Sequence, residues 1–156
     1  MEIETREIDG LNLSPVPGGV IILPSNIRAF PGEYEYSSSA PTLAKFLRRE
    51  LGVEFYSPPE RILEQRSGDW YAPLLLISQA LISENPLVIN ILCGLISNYI
   101  SDRFNGIRKP AVHLSFLVEK KSTPDERSKY IQVSYSGSNE ELKAVIDAIV
   151  KVAKDD

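Results

Sequence analysis

The chain has 156 residues, the length of one ordinary domain, and its 43% hydrophobic and 24% charged residues are typical of a globular protein. The formal net charge is -4, which disfavours sequence-independent binding to nucleic acid, because that binding relies on Lys and Arg displacing counterions from phosphates. One cysteine excludes an intramolecular disulfide, and the acidic first residues do not resemble a secretory signal. We therefore expect a single cytoplasmic domain spanning residues 1–156.

The first 19 residues predict a small peripheral hairpin followed by a loop. Residues 2–8 are compatible with a strand, Asp9-Gly10 is a strong signal for a two-residue turn, and residues 11–13 offer a short return strand. Two prolines and two glycines in residues 15–19 then indicate a loop. These glycines do not form a phosphate-binding pattern, so the sequence indicates no nucleotide cofactor.

Residues 20–23 are a short, continuous apolar run bounded by glycine and proline, a pattern typical of a strand buried in a sheet. Residues 24–39 are irregular and contain two tyrosines, Tyr34 and Tyr36, that alternate with glutamates. Aromatic residues on a loop often contact a partner, although the same side chains would also suit packing over the edge of a sheet. We name both tyrosines as candidate contact residues.

A helix, a strand and a short helical segment are predicted next. Ser39 is a good N-cap, apolar residues then recur at helical spacing, and Gly52 is suited to the position after the helix. Residues 53–56 alternate as a strand does. Residues 57–66 begin with a capping-box pattern and predict a short helix, with a strand through Ile62 and Gln65 as the alternative.

The densest apolar stretch is residues 70–104, interrupted at 84–86 by Glu-Asn-Pro. We predict that its two halves are helices packed as a buried αα-hairpin, because the first half falls short of the about 20 apolar residues that a membrane-spanning helix needs. Clusters of Lys and Arg and an aromatic belt at both ends are also missing. In the second half, small and polar residues share one helical stripe that would let another helix approach closely: Asn90, Gly94, Ser97, Asn98 and Ser101.

The last third of the chain predicts two strands and a helix. Residues 111–119 and 130–135 alternate in polarity and should form an antiparallel hairpin, joined by a long charged loop. Residues 138–141 form a second capping box, and the apolar residues that follow lie on one stripe through Ala153. We expect an amphipathic C-terminal helix that covers one face of the sheet.

Residue types limit the chemistry of the chain. His113 is the only histidine, which excludes zinc sites built on two imidazoles, and no G-x-S-x-G motif accompanies it. A structural role for His113 is therefore favoured over general-base catalysis. Cys93 lies among apolar residues and is expected to be a buried, unreactive thiol. The sequence thus predicts no catalytic, cofactor-binding or metal-binding residue.

Together these patterns predict an α+β fold, with a mixed α/β arrangement as the alternative, in which helices pack on a mixed or antiparallel sheet of four to five strands. We expect a small, non-enzymatic interaction or regulatory module that binds another protein or itself through surplus apolar surface of residues 70–104. Two alternatives are a membrane-active protein that inserts residues 70–104 and a hydrolase or transferase that uses His113. The candidate contact residues are all aromatic: Trp70, Tyr71, Tyr99, Phe104, Tyr34 and Tyr36.

Overall fold

The chain folds into both helices and strands, and the computed structural model describes it at residues 1–13, 19–30, 32–64, 68–104, 110–120 and 127–154. The helices are α1 (Ala40–Leu47), α2 (Gln79–Glu84), α3 (Val88–Arg103) and α4 (Ala144–Lys154). A short 3-10 turn at Asn139–Glu141 precedes α4. The strands are β1 (Glu2–Ile8), β2 (Val20–Leu23), β3 (Tyr36–Ser37), β4 (Val53–Phe55), β5 (Ile62–Leu63), β6 (Trp70–Tyr71), β7 (Leu74–Ser78), β8 (Val112–Lys120) and β9 (Lys129–Gly137).

Within these residues, seven strands form one mixed sheet in the order β1-β9-β8-β7-β2-β4, and β6 pairs with β8 beside the start of β7. Strands β1, β9 and β8 are antiparallel neighbours, β7 is parallel to β8, and β2 is antiparallel to β7 but parallel to β4. Strands β3 and β5 form a separate parallel pair. The predicted α+β fold with a mixed sheet is confirmed, and the main sheet has more strands than the four to five expected.

The helices cover one face of this sheet and enclose the main core. Because side chains alternate along a strand, Phe116 of β8 and Val133 of β9 point to the helical face, where they meet Ile89 and Leu92 of α3 in one buried cluster. A smaller cluster on the opposite face includes Leu117 and is covered by the chain segments around residues 11–13 and 24–30. Beyond that cover, the opposite face of β8 and β9 is polar and partly exposed. We call this exposed polar part the open face.

The prediction of an αα-hairpin over residues 70–104 is wrong in its first half. Residues 70–71 and 74–78 are strands β6 and β7, and only the six residues of α2 follow before the break at 84–86. β7 lies in the sheet between β2 and β8, so its Leu75 and Ile77 contact the helices while Leu76 contacts the smaller cluster. A strand buried on both faces shows no alternation, which is why its apolar run resembled a helix. The second half is helical, as predicted.

The predicted N-terminal hairpin is also absent. β1 forms, but it pairs along its whole length with β9, and residues 11–13 are not a strand. The turn signal at Asp9-Gly10 is used, with Gly10 at a φ of 74°, but the chain after it crosses the opposite face and adds Leu11 and Leu13 to the smaller cluster. β1 is therefore an edge strand of the main sheet. Most of the predicted loop at 15–19 and most of the loop between β8 and β9 lie outside the described residues.

The remaining elements follow their local signals closely, with one exception. Strand β2, strand β4, the β8–β9 hairpin and the amphipathic helix α4 form where they are predicted. Helix α1 begins as predicted but ends at Leu47, before Gly52, and the Oγ atom of Ser39 donates to the carbonyl oxygen of Tyr71 at 2.7 Å instead of capping the helix. The Oγ atom of Ser138 accepts a hydrogen bond from the backbone N–H of Glu141 at 3.3 Å, as a capping residue does. The short helix predicted over residues 57–66 is wrong: residues 62–63 form β5, the strand that was the alternative.

Candidate functional site

Three of the six candidate aromatic residues are buried in the core. Tyr36, Trp70 and Tyr99 are 0%, 5% and 8% exposed. The rings of Trp70 and Tyr99 lie 5.8 Å apart, and the hydroxyl of Tyr99 is 2.7 Å from Oγ1 of Thr42 in α1. These side chains join α1, α3 and the sheet, so in this fold they are inaccessible to a partner.

The other three candidates are partly buried and do not share a surface. Phe104 packs against the main core at the end of α3, whereas Tyr34 contacts Tyr56 edge to face, with ring centroids 6.2 Å apart. Tyr71 lies on the open face, where its ring stacks on the imidazole of His113 at a centroid distance of 4.4 Å. The structure therefore does not bring the six predicted contact residues together.

His113 has polar neighbours on both of its ring nitrogens. Nε2 is 3.0 Å from Oδ2 of Asp69, and Nδ1 is 3.0 Å from Oγ of Ser136. If Nε2–H donates to the carboxylate, Nδ1 is free to accept from the serine hydroxyl. These contacts arise because Ser136 lies directly opposite His113 in the β8–β9 pair, and both side chains point to the open face.

A serine, a histidine and an aspartate in contact resemble a nucleophilic site, but the backbone around Ser136 does not suit that chemistry. β9 is paired with β8 on one edge and with β1 on the other, and Ser136 has a partner residue on each side. Backbone amides in a strand that is paired on both edges donate mainly to the neighbouring strands, which disfavours their use on an oxyanion. We interpret the contacts of His113 as cross-strand stabilisation of the open face.

Cys93 is buried in α3 at 2% exposure, as expected. Burial raises the pKa of its thiol to about 12, because the charged thiolate would be removed from water. A thiol with so high a pKa is a poor nucleophile at neutral pH. Within the described residues, no group of three or more His, Cys, Asp and Glu side chains is placed to hold a metal ion.

The outer face of α3 is an exposed surface that contains two large apolar side chains. Leu87 and Ile91, at the start of the helix, are 61% and 36% exposed. Asn90, Gly94 and Asn98 continue the same exposed stripe along the helix. From Leu87 to Asn98 the exposed stripe contains no charged residue. We call these five residues the α3 face.

The helices on either side of α3 have exposed surfaces of a different kind. α1 and α4 both contact α3, so α3 lies between them. The exposed side chains of α1 and the turn after it include Lys45, Arg48 and Arg49, and those of α4 include Asp147 and Lys151. Of these three helices, only α3 has a charge-free exposed stripe of this length. Loss of charged residues is the compositional mark of the centre of a protein–protein interface.

The amino-acid sequence predicts part of the α3 face. The stripe of small and polar residues that includes Asn90, Gly94 and Asn98 is exposed as one row, except that Ser97 and Ser101 contact Asn139 at its edge. Leu87 and Ile91 were missed, because an apolar residue on a helix is normally assigned to the core. Of the helices in the described part of the chain, none combines the length and the apolar content that crossing a membrane requires.

A cleft of about 730 Å³ lies on the other side of the sheet, at the border between the open face and the segment around residues 24–30. Its charged lining residues are Arg6 and Glu7 of β1, Asp9 after that strand and Arg28 of the segment, and Ser115 and Gln132 form part of its floor. Apolar side chains, among them Leu74, complete the floor. A cleft of this volume is of the size that holds small ligands.

Comparisons of this chain with known protein families, with curated proteins and with solved structures found no match.

Proposed function

We propose that this protein is an interaction module without enzymatic activity, and that a second copy of the chain binds the α3 face. The observation that carries the proposal is the exposed, charge-free stripe from Leu87 to Asn98, placed between two helices with charged exposed surfaces. We expected residues 70–104 to expose a large apolar surface. The large apolar side chains that are exposed there are those of Leu87 and Ile91. None of the six candidate aromatic residues belongs to the α3 face.

Self-association suits this face for two reasons. In a two-fold interface the same patch meets itself, so a patch with charges of one sign would repel its copy. The α3 face avoids that repulsion although the chain as a whole has a net charge of -4. Gly94 lies in the middle of the stripe, and no atom lies within 4 Å of the position that a Cβ would occupy there. A second helix can therefore approach the α3 backbone closely.

The contact area should make this association weak. A single helix pair buries less surface than the roughly 1,200–2,000 Å² of stable protein complexes, so we expect a monomer–dimer equilibrium that depends on concentration. The free, buried thiol of Cys93 is compatible with the reducing environment of the cytoplasm, which we retain as the proposed location.

Light scattering after gel filtration tests the proposal over a range of protein concentrations. We expect the mass to rise from that of the 17.4 kDa monomer towards twice that value as the concentration increases. Ile91→Lys should keep the protein monomeric at all concentrations, because each dimer would bury two unpaired ammonium groups. Gly94→Leu should have the same effect by holding the helices apart.

Ile62→Lys is the matched control, since Ile62 is another exposed isoleucine, at 42%, and lies on β5 away from α3. This variant should dimerise as the unmodified chain does. A monomer at every concentration, or equal dimerisation of the Ile91→Lys and Ile62→Lys variants, would show that a second copy does not bind the α3 face.

A further inference from the structure

We propose that the cleft on the open face binds a small organic anion, a carboxylate or a phosphate ester with an apolar body, through Arg6 and Arg28. This site is on the opposite side of the sheet from the α3 face and is independent of the interaction proposed there. The inference rests on the two guanidinium groups, on the rigidity of the wall that holds Arg28, and on the mixed floor of the cleft.

The wall that holds Arg28 is fixed by hydrogen bonds. Asn26 donates from Nδ2 to the carbonyl oxygen of Glu33 at 2.9 Å and accepts at Oδ1 from the N–H of Glu35 at 2.7 Å. Arg28 donates from Nη2 to the carbonyl oxygen of Asp9 at 3.2 Å, which ties this segment to the turn after β1. The cleft is therefore bounded on two sides before any ligand binds, which lowers the entropy cost of binding.

Arg6 also lines the cleft, has an exposed side chain and lies across from Gln132 in the β1–β9 pair. Among the residues that the structure describes, no carboxylate lies within ion-pair distance of its guanidinium. The next residue, Glu7, also lines the cleft, and its Oε1 atom lies 3.9 Å from Nζ of Lys129, which pairs with part of its negative charge. The positive charge of Arg6 is thus available to a ligand.

Two arginines line this cleft together with the acidic residues Glu7 and Asp9, and the two guanidinium groups favour one class of ligand. A guanidinium presents its donors as a planar fork that matches carboxylate and phosphate oxygens, and such charge-assisted hydrogen bonds are stronger than neutral ones. Arg28 uses one nitrogen on the carbonyl of Asp9, which leaves other donors of the fork for a ligand.

The floor of the cleft determines which kind of body the anionic ligand should carry. Ser115 and Gln132 offer polar atoms, and their side chains are joined by a hydrogen bond of 3.5 Å. Leu74 and Leu117 beside them are apolar. A ligand that is only an inorganic anion would leave this apolar part of the floor in contact with water. An anion with an aromatic or aliphatic body would cover it.

Titrations followed by NMR of the backbone amides test this proposal with phenyl phosphate and benzoate as probes and benzyl alcohol as the uncharged comparison. We expect both anions to shift the signals of Arg6, Arg28, Ser115 and Gln132 to saturation, and benzyl alcohol to bind at least roughly tenfold more weakly. The stronger of the two anions identifies the preferred group. Inorganic phosphate should bind more weakly than phenyl phosphate, because it cannot cover the apolar floor.

Arg6→Gln should weaken binding of the preferred anion by roughly tenfold, the effect of removing one charge-assisted pair. Arg49→Gln is the matched control, because it removes the same charge from the helical side of the molecule and should leave the affinity unchanged. Ala29→Phe keeps every charge and fills the cleft, and should prevent saturation. Equal effects of Arg6→Gln and Arg49→Gln, or anion-induced shifts that are not confined to the cleft, would overturn the proposal.

Discussion

Tyr36→Phe should destabilise the protein, although it removes only one oxygen atom. The side chain of Tyr36 is fully buried, and its hydroxyl donates to the carbonyl oxygen of Ser57 at 2.8 Å and accepts from the N–H of Ser57 at 2.9 Å. The Oγ atom of the same serine lies 3.0 Å from the hydroxyl. Phenylalanine would leave the donor and acceptor groups of Ser57 without these bonds. Since a buried group that loses its partner costs about 1–3 kcal/mol, we expect a loss of about 2 kcal/mol in the free energy of unfolding.

Urea denaturation followed by circular dichroism measures this loss directly, and thermal unfolding should show a decrease in Tm of roughly 4–8 °C. Tyr34→Phe is the matched control, because it makes the same change two residues earlier at a partly buried ring. That control should change the free energy of unfolding by no more than about 0.5 kcal/mol. If Tyr36→Phe costs as little as Tyr34→Phe, the hydroxyl of Tyr36 does not hold Ser57 in place and the reasoning is wrong.

Three further predictions follow from the core and the backbone. Native Cys93 should resist a thiol reagent at pH 8 and react fully in urea. Burial raises the pKa of this thiol from 9.0 to about 12, so the thiol ionises at a lower pH in the unfolded chain than in the folded protein. The contribution of this thiol to stability should therefore be complete below pH 9 and decline as the pH rises towards 12, and Cys93→Ala should remove that part of the pH dependence. Gly19→Ala should cost about 1–3 kcal/mol in thermal unfolding, because φ is 124° and a Cβ would lie 3.0 Å from a backbone carbonyl oxygen. His113→Ala should cost about 1 kcal/mol by urea denaturation, since its contacts with Asp69 and Ser136 are partly exposed, and a loss above about 3 kcal/mol would contradict our interpretation of them.

The candidate surfaces differ in how far the sequence could predict them. The stripe around Gly94 was visible from helical spacing alone, since all its members belong to one helix. The cleft was not visible, because Arg6, Arg28 and Ser115 come from three separate segments that only the sheet order and the path of residues 24–30 bring together. The six aromatic residues were predicted to contact a partner, and three of them lie in the core instead. Aromatic side chains suit both an interface and a core, so only their burial in the folded protein distinguishes the two.

Local signals by themselves determined α1, α4, β2, β4 and the β8–β9 hairpin. Capping residues, apolar period and turn residues act on neighbours in the chain, so their effect does not depend on where the rest of the molecule lies. Ser138, for example, caps the turn before α4 through an N–H only three residues away.

The tertiary structure alone decided the partner of β1 and the identity of residues 74–78. β1 could have formed a hairpin with residues 11–13, but it pairs with β9 instead, and all seven of its residues have a partner there. Residues 11–13 pack against the smaller cluster on the opposite face of the sheet. The apolar run of β7 suited a helix or a strand equally well by pattern. It became a strand because β2 and β8 supply backbone partners on both edges and apolar contacts meet it on both faces. Such long-range contacts are not encoded by any contiguous segment, and they place the α3 face and the cleft on opposite sides of the protein.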